Sequence, residues 1–137
     1  MAFIRKEGKT KIIYRPMTAS TVATAGDIMS YASGLLIPAT NVTTALSHAG
    51  VLVRTIATTD ADYATSGRLV AIEVPVEKNV YWSAPTTGLV AADVGLEVDL
   101  TNAGTIDRSA SAVDVAKVEK RVSATLGWFM LKLGGSY

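Results

Sequence analysis

The sequence predicts an all-β protein: a small single-domain β-barrel or sandwich with little helix and an extended N-terminal arm. The clearest observation is the stretch 69–76, in which the β-branched residues Val70, Ile72 and Val74 alternate with residues on the opposite side. Such a period of two is typical of a half-buried strand. Short apolar stretches with turn residues between them recur at roughly 8–12-residue spacing, as in sandwiches and barrels. No long stretch has a helical period.

The composition favours one domain with a substantial core. The chain has 137 residues, of which 49% are hydrophobic and only 18% are charged. A charged fraction this low indicates either that copies of the chain cover part of its surface or that the chain is a compact, threonine- and alanine-rich monomer. There is no cysteine, which excludes disulfides, a thiolate nucleophile and cysteine-ligated metal sites.

No membrane segment or export signal is predicted. No apolar run reaches the roughly 18 residues that a membrane span requires. The N-terminal residues MAFIRKEG lack the apolar part that follows the basic part of a signal peptide. We therefore expect synthesis in the cytoplasm and no association with a membrane.

Residues 1–16 are interpreted as an arm. Their apolar residues are interrupted by charges and by Gly8, and Pro16 closes the segment. Residues 1–15 contain five basic and one acidic side chain, a charge of +4, whereas the remaining chain has 8 basic and 11 acidic side chains, a charge of −3. A basic end on an acidic body indicates an acidic partner surface.

The arm has a predicted mode of binding. The stretch 12–14 (IIY) has strand propensity, so it could pair with the sheet edge of another chain. The alternative is that it forms the first strand of this domain. The predicted contact residues are Phe3, Ile4, Arg5, Lys6, Lys9, Lys11, Ile12, Ile13, Tyr14 and Arg15. The barrel domain is then expected to comprise residues 17–137.

The barrel domain is predicted to consist of short strands between turns. The turn residues are mostly glycine, proline, asparagine and aspartate. Pro38 restricts its stretch to an edge strand or a strand end. The expected strands are 28–31, 35–37, 51–59, 69–76, 80–82, 96–100 and 128–133. The pair 51–59 and 69–76 is expected to form the centre of the fold.

Residues 110–123 fit two patterns. Val115, Val118 and Val122 fit one helix face, whereas Val118, Lys120 and Val122 fit one side of a strand. Valine is a poor helix former, and the rest of the chain indicates β-structure. We expect a strand from about residue 116, with one helical turn before it left open.

The sequence offers no recognisable catalytic or metal-binding set. The only histidine, His48, lies in a predicted loop and is expected to be solvated, so a catalytic triad is not indicated. Asp60 and Asp62 are expected to cap a turn, and Glu97 and Asp99 to be solvated on the exposed side of a strand. There is no glycine-rich phosphate loop. The protein is therefore expected to have no enzymatic activity, cofactor or metal.

The aromatic residues are interpreted as core or subunit contacts. Small barrels do bind nucleic acid through aromatic and basic side chains, but here the arm holds the positive charge and the body is acidic. Nucleic acid is therefore not an expected partner. A possible oligomer interface is predicted at Tyr81, Trp82 and Trp128.

The order of glycine turns and threonine-rich strands resembles a known family. The resemblance covers residues 22–133 and is carried by Ala25-Gly26-Asp27-Ile28, by Ile56–Gly67 leading into Val70–Val76, by Asp93–Leu100 and by Ser123–Gly127. These stretches are similar to those of tailed-bacteriophage head decoration (capsid cement) proteins related to the lambdoid decoration protein.

The resemblance implies a function. Members are compact β-barrel-like proteins, often homotrimers, that sit on the outer surface of the capsid and clamp neighbouring major capsid protein subunits. An N-terminal arm commonly adds to a sheet of the capsid protein, and here this would be residues 2–15. The alternatives are another viral structural component, such as a fibre base or tail part, and a carbohydrate-binding β-module that uses Trp82 or Trp128.

Overall fold

Residues 3–134 are described by a computed structural model of the chain. The predicted all-β class with little helix is confirmed: strands dominate, and the described helices are two short 3-10 turns, Ala45–Ser47 and Ala91–Asp93. The strands are β1 (Ile4–Glu7), β2 (Thr10–Met17), β3 (Ile28–Ala32), β4 (Leu35–Pro38), β5 (His48–Leu52), β6 (Arg68–Pro75), β7 (Tyr81–Pro85), β8 (Glu97–Asn102), β9 (Thr105–Asp107), β10 (Ala116–Ser123) and β11 (Leu126–Leu131).

The strands form a barrel and a second sheet. The barrel has the order β2-β4-β3-β5-β6, and the six-stranded sheet has the order β1-β7-β11-β10-β8-β9. Neighbouring strands are antiparallel except β2 and β4, which run parallel and are joined through the single pair Met17 and Leu36. The barrel is therefore closed by one short contact.

The barrel interior confirms the predicted alternation in β6. Val70 and Ile72 are buried together with Met17, Met29 and other apolar residues from all five strands. Each fully buried aliphatic side chain contributes about 1.5–3 kcal/mol. Residues 51–59 form a strand only at their start, because β5 ends at Leu52. Within the strands, β5 and β6 pair only through Val51 with Glu73 and Leu52 with Ile72.

A second core lies between the barrel and the six-stranded sheet. Trp82 and Phe129 of the sheet pack in one cluster with Ile28 of β3 and Val51 of β5. Because the barrel strands contribute side chains to both cores, the two parts form one domain, as predicted.

The separate N-terminal arm is wrong for the residues that the structure describes. β1 pairs with β7, β2 pairs with β6 over eight residues, and Phe3 is buried in the second core. The alternative, in which residues 12–14 form the first strand of this domain, is right that they belong to the domain, but they lie in its second strand, β2. Residues 1 and 2 lie outside the described part. The boundary predicted at residue 16 falls inside β2. Residues on both sides of it, Ile13 and Met17, pack with the barrel core.

The ambiguous stretch 110–123 contains the predicted strand, since β10 begins at Ala116. The residues before it are held by Asp99, whose carboxylate accepts hydrogen bonds from the backbone N–H groups of residues 112, 113 and 114 at 2.8, 3.1 and 2.8 Å. The expectation that Asp99 is solvated is therefore wrong: it is buried beneath this loop.

Within residues 3–134, no helix has the length and apolar character that crossing a membrane would require.

Candidate binding surface

One edge of β2 is open along most of its length. The C=O group of Lys9 accepts a hydrogen bond from Val76, so odd-numbered residues of this strand direct their backbone groups towards β6. The backbone groups of Ile12 and Tyr14 consequently point away from β6. In the described chain, β4 pairs with β2 only at Met17. Residues 10–16 thus present an edge that no described strand pairs with and that another strand could join. Within it, the Tyr14 C=O accepts a hydrogen bond from the Arg15 guanidinium, and Pro16 has no N–H.

Exposed apolar side chains lie beside this edge. Ile12 and Tyr14 share one face of β2, and their exposed fractions are 47% and 60%. Tyr14 lines a groove together with Val53 and Leu69, which are 44% and 66% exposed. We call these four residues the barrel face. A contiguous set of exposed apolar side chains is typical of a protein interaction site.

Arg54 lines the groove with Tyr14, whereas alternation along β2 places the basic residues Lys11 and Arg15 on the side of the strand opposite to Ile12 and Tyr14. Lys11, Arg15 and Arg54 are exposed, and none of them forms an ion pair within residues 3–134. The Arg15 guanidinium donates to the Tyr14 carbonyl at 2.8 Å. These charges favour an acidic partner because opposite surface potentials attract during encounter.

The other predicted arm residues are distributed over the molecule. Phe3 is buried, and Ile13 packs against the barrel core. Arg5 is held by Glu73 of the barrel at 2.7 Å. Ile4 lies on the outer side of the six-stranded sheet, opposite Ser83. Lys6 and Lys9 are exposed.

Three residues at this site were not among the predicted site residues: Val53 and Leu69 of the barrel face, and the neighbouring Arg54. Leu69 gave a usable signal, since the alternation in 69–76 placed a large apolar residue on the outer side of its strand. Val53 and Arg54 gave none. They reach the groove because the chain leaves the sheet after β5, a change of direction that no turn motif marks.

The predicted oligomer interface is divided by the sheet. Trp82 points into the core and is buried, so its assignment to an interface is wrong. Trp128 is opposite Ser83 of β7. Because Ser83 lies two residues after Tyr81 in the same strand, Tyr81 and Trp128 share the outer face of the sheet. The ammonium group of Lys120 lies 4.7 Å from the centre of the Trp128 ring. This contact covers part of the ring that a sugar or a base would use.

His48 is a buried residue of β5, not the solvated loop residue that was expected. Its burial lowers the pKa of the imidazole from 6.5 to about 4, although the backbone of Thr43 partly opposes this. Its cross-strand neighbour is Ser30, which is also buried. The folded protein therefore buries His48 as a neutral imidazole at pH 7.

Asp60 behaves as predicted, because its carboxylate accepts the N–H of Ala57 at 3.1 Å and caps a turn. Asp62 lies near Arg68 instead. Across residues 3–134, no three histidine or acidic side chains are grouped closely enough to hold a metal ion. The barrel face is consequently the strongest candidate site in the described chain.

Neither a protein-family model nor a curated protein sequence matches this chain.

Proposed function

We propose that this protein is a capsid cement protein that binds the outer surface of an assembled phage head and bridges subunits of the major capsid protein. The observation on which the proposal depends is the barrel face beside the open edge of β2. It supplies apolar contact area, main-chain groups that no described strand pairs with, and the positive charge of Arg54. The resemblance of residues 22–133 to head decoration proteins supports the same function.

The proposed contact uses a folded strand. Because β2 is held by eight pairs with β6, binding requires little additional ordering of the backbone, and ordering is a main cost of association. Each contact is small. Several copies in one oligomer would raise the apparent affinity through effective concentration.

We propose that the oligomer is a homotrimer that uses the outer face of the six-stranded sheet around Tyr81 and Trp128. Both side chains are partly exposed, and aromatic residues are enriched in protein interfaces. Sedimentation equilibrium of the purified protein measures the mass directly. A monomer at every concentration would contradict this part of the proposal.

The cement function requires no catalysis, cofactor, nucleic acid or membrane, and its location is the exterior of the virion. Another viral structural role, as a fibre base or tail part, would use the same kind of surface. The carbohydrate-binding alternative receives less support, because Trp82 is buried and Lys120 covers part of Trp128.

The test compares two leucine substitutions. Leu69→Glu places a carboxylate on the barrel face, whereas Leu46→Glu is the matched control at a residue 76% exposed in the turn before β5. We expect Leu69→Glu to weaken binding about tenfold or more, equivalent to about 1.4 kcal/mol. Leu46→Glu should bind like the unchanged protein. The measurement is co-sedimentation with mature heads of the phage that encodes the chain.

The same measurement can overturn the proposal. If the unchanged protein does not sediment with the heads, the cement function is wrong. If it sediments and Leu69→Glu sediments equally well, the barrel face is not the contact surface.

A further inference from the structure

A groove opens where the ladder between β5 and β6 ends. The N–H of Val53 donates to the C=O of Ala71 at 3.1 Å, and the chain then diverges from β6. The resulting space, about 360 Å³, lies between residues 53–56 and 68–71 and is bordered by Tyr14 and Asp62. Three of the four barrel-face residues, Tyr14, Val53 and Leu69, line it.

The main chain of Leu69 is unpaired in this groove. Because the C=O of Ala71 points towards residue 53, the N–H and C=O of Leu69, two residues earlier, point in the same direction. The residue opposite Leu69 on β2 is Pro16, on the other side of the strand. Among the hydrogen bonds of residues 3–134, none uses either backbone group of Leu69. An adjacent donor and acceptor of this kind are what an added extended peptide pairs with.

A poorly neutralised buried cation lies beside the same residue. The Arg68 side chain is 3% exposed, and the nearest carboxylate oxygen, on the exposed Asp62, is 3.7 Å away. The guanidinium donates to the Asp62 carbonyl at 3.0 Å and, at longer distance, to the Thr21 carbonyl at 3.4 Å and the Met17 sulfur at 3.7 Å. Its Nε has no hydrogen-bond partner in the described chain. A buried guanidinium normally has a closer, bidentate carboxylate partner.

Two further side chains bear on whether the groove prefers a negatively charged ligand. The centre of the Tyr63 ring lies 5.7 Å from the guanidinium carbon of Arg68, so the ring contacts the cation from one side. Arg54 adds a second, exposed cation to the lining. With Asp62 as the acidic lining residue, the groove is net positive.

We propose that this groove binds an extended peptide segment that carries a carboxylate side chain. The segment's backbone pairs with the N–H and C=O of Leu69, and its carboxylate is attracted by Arg54 and Arg68. An apolar neighbour of that carboxylate packs on Tyr14 and Val53. Because the groove contains Tyr14, Val53 and Leu69 of the barrel face, the inference names the kind of segment that this face binds and rests on the proposed function.

The test uses two short blocked peptides and the full-length ¹⁵N-labelled protein. One peptide has the sequence threonine-valine-aspartate-valine-threonine, and the other has asparagine in place of aspartate. We expect the aspartate peptide to shift the Leu69 amide resonance in a saturable manner at millimolar concentration. The asparagine peptide should bind about tenfold more weakly, since it lacks the charge.

Variants separate the main-chain contribution from the charge contribution. Leu69→Pro removes an N–H that no strand pairing uses, and Leu69→Ala is its control because it shortens the side chain and keeps the N–H. We expect loss of peptide binding only in Leu69→Pro. Arg54→Ala, at an exposed position, should weaken the aspartate peptide and leave the asparagine peptide unchanged.

Specific outcomes would overturn the inference. Equal affinity for the two peptides would contradict recognition of the carboxylate. Chemical-shift changes confined to residues outside 53–56 and 68–71 would contradict binding in the groove. If Leu69→Pro does not fold, as judged by circular dichroism, the Arg54→Ala comparison and the positions of the shifts decide. The experiment contains no phage heads, so its failure and the failure of head binding are distinguishable.

Discussion

His48 shows how a single buried residue makes stability depend on pH. The imidazole has a pKa of about 4 in the folded protein and 6.5 as its ordinary value. The unfolded chain therefore binds a proton more readily between these pH values. Stability is fully present above about pH 6.5 and falls as the pH drops towards 4, by up to about 3 kcal/mol.

The measurement is urea unfolding of the unchanged protein and of His48→Gln at about pH 7 and about pH 4.5. We expect the unchanged protein to lose more stability than the variant over this interval. Carboxylates titrate in both proteins, so the difference between the two isolates the imidazole. Equal losses would mean that the folded protein holds His48 with an ordinary pKa.

Asp99 and His48 also mark what the sequence could not reveal at the residue scale. The alternation in β8 correctly predicted Val98 and Leu100 as buried. It also placed Asp99 on the opposite, solvated side, but the loop of residues 110–114 crosses that side and donates three N–H groups to it. Burial of a polar residue by a distant segment leaves no local pattern, because the covering segment comes from elsewhere in the chain.

At the scale of elements, the turn between β1 and β2 joins the two sheets through Gly8. Its φ is +92°, and a Cβ there would lie 2.7 Å from the Cα of Val80. Gly8→Ala therefore combines the left-handed strain of roughly 1 kcal/mol with displacement of a neighbouring backbone. We expect a loss of about 2–3 kcal/mol in the free energy of unfolding.

Gly34 provides the matched control. It also has a positive φ, +80°, but a Cβ there would meet no atom within 4 Å. Gly34→Ala should cost only the strain, about 1 kcal/mol. Equal losses for the two variants in urea unfolding would contradict the close approach of Gly8 to Val80.

β2 gives a prediction that distinguishes a strand from an arm. Deleting residues 1–16 removes β1 and seven of the eight residues of β2 that pair with β6, which uncovers Val70 and Ile72. We expect the truncated chain not to fold, as measured by near-UV circular dichroism and a urea transition. The double charge reversal Lys11→Glu and Arg15→Glu should remain within about 0.5 kcal/mol of the unchanged protein.

A folded truncated domain would contradict the structural role of β2. The sequence misrepresented this element for a physical reason. Residues 10–15 extend past the single contact with β4, so both faces of the strand reach solvent and the alternation is lost. By contrast, β6 was predicted within one residue at each end, because neighbours on both sides bury its inner face.

On the scale of the whole molecule, the two cores are expected to unfold together. Ile28 and Val51 are barrel residues that pack in the same cluster as Trp82 of the six-stranded sheet. Tryptophan fluorescence and far-UV circular dichroism should therefore report one transition with a common urea midpoint. Ile28→Ala should lower both midpoints together, with a loss of about 2–5 kcal/mol.

Two separated transitions would contradict a single cooperative unit. The sequence predicted the all-β class because turn residues and alternation are local signals. It could not divide the strands between barrel and sheet. β1 and β2 are neighbours in the chain, yet their partners are β7 and β6, and such long-range choices depend on the packing of complete faces.

The single pair that joins β2 to β4 has a mechanical consequence. Because β2 and β4 are joined by a single residue pair, we expect the barrel to open first between these two strands, and their backbone amides to exchange earliest. A partner strand that pairs with β2 would stabilise the barrel at this contact. Under the proposed cement function, binding to the head would therefore also stabilise the barrel itself.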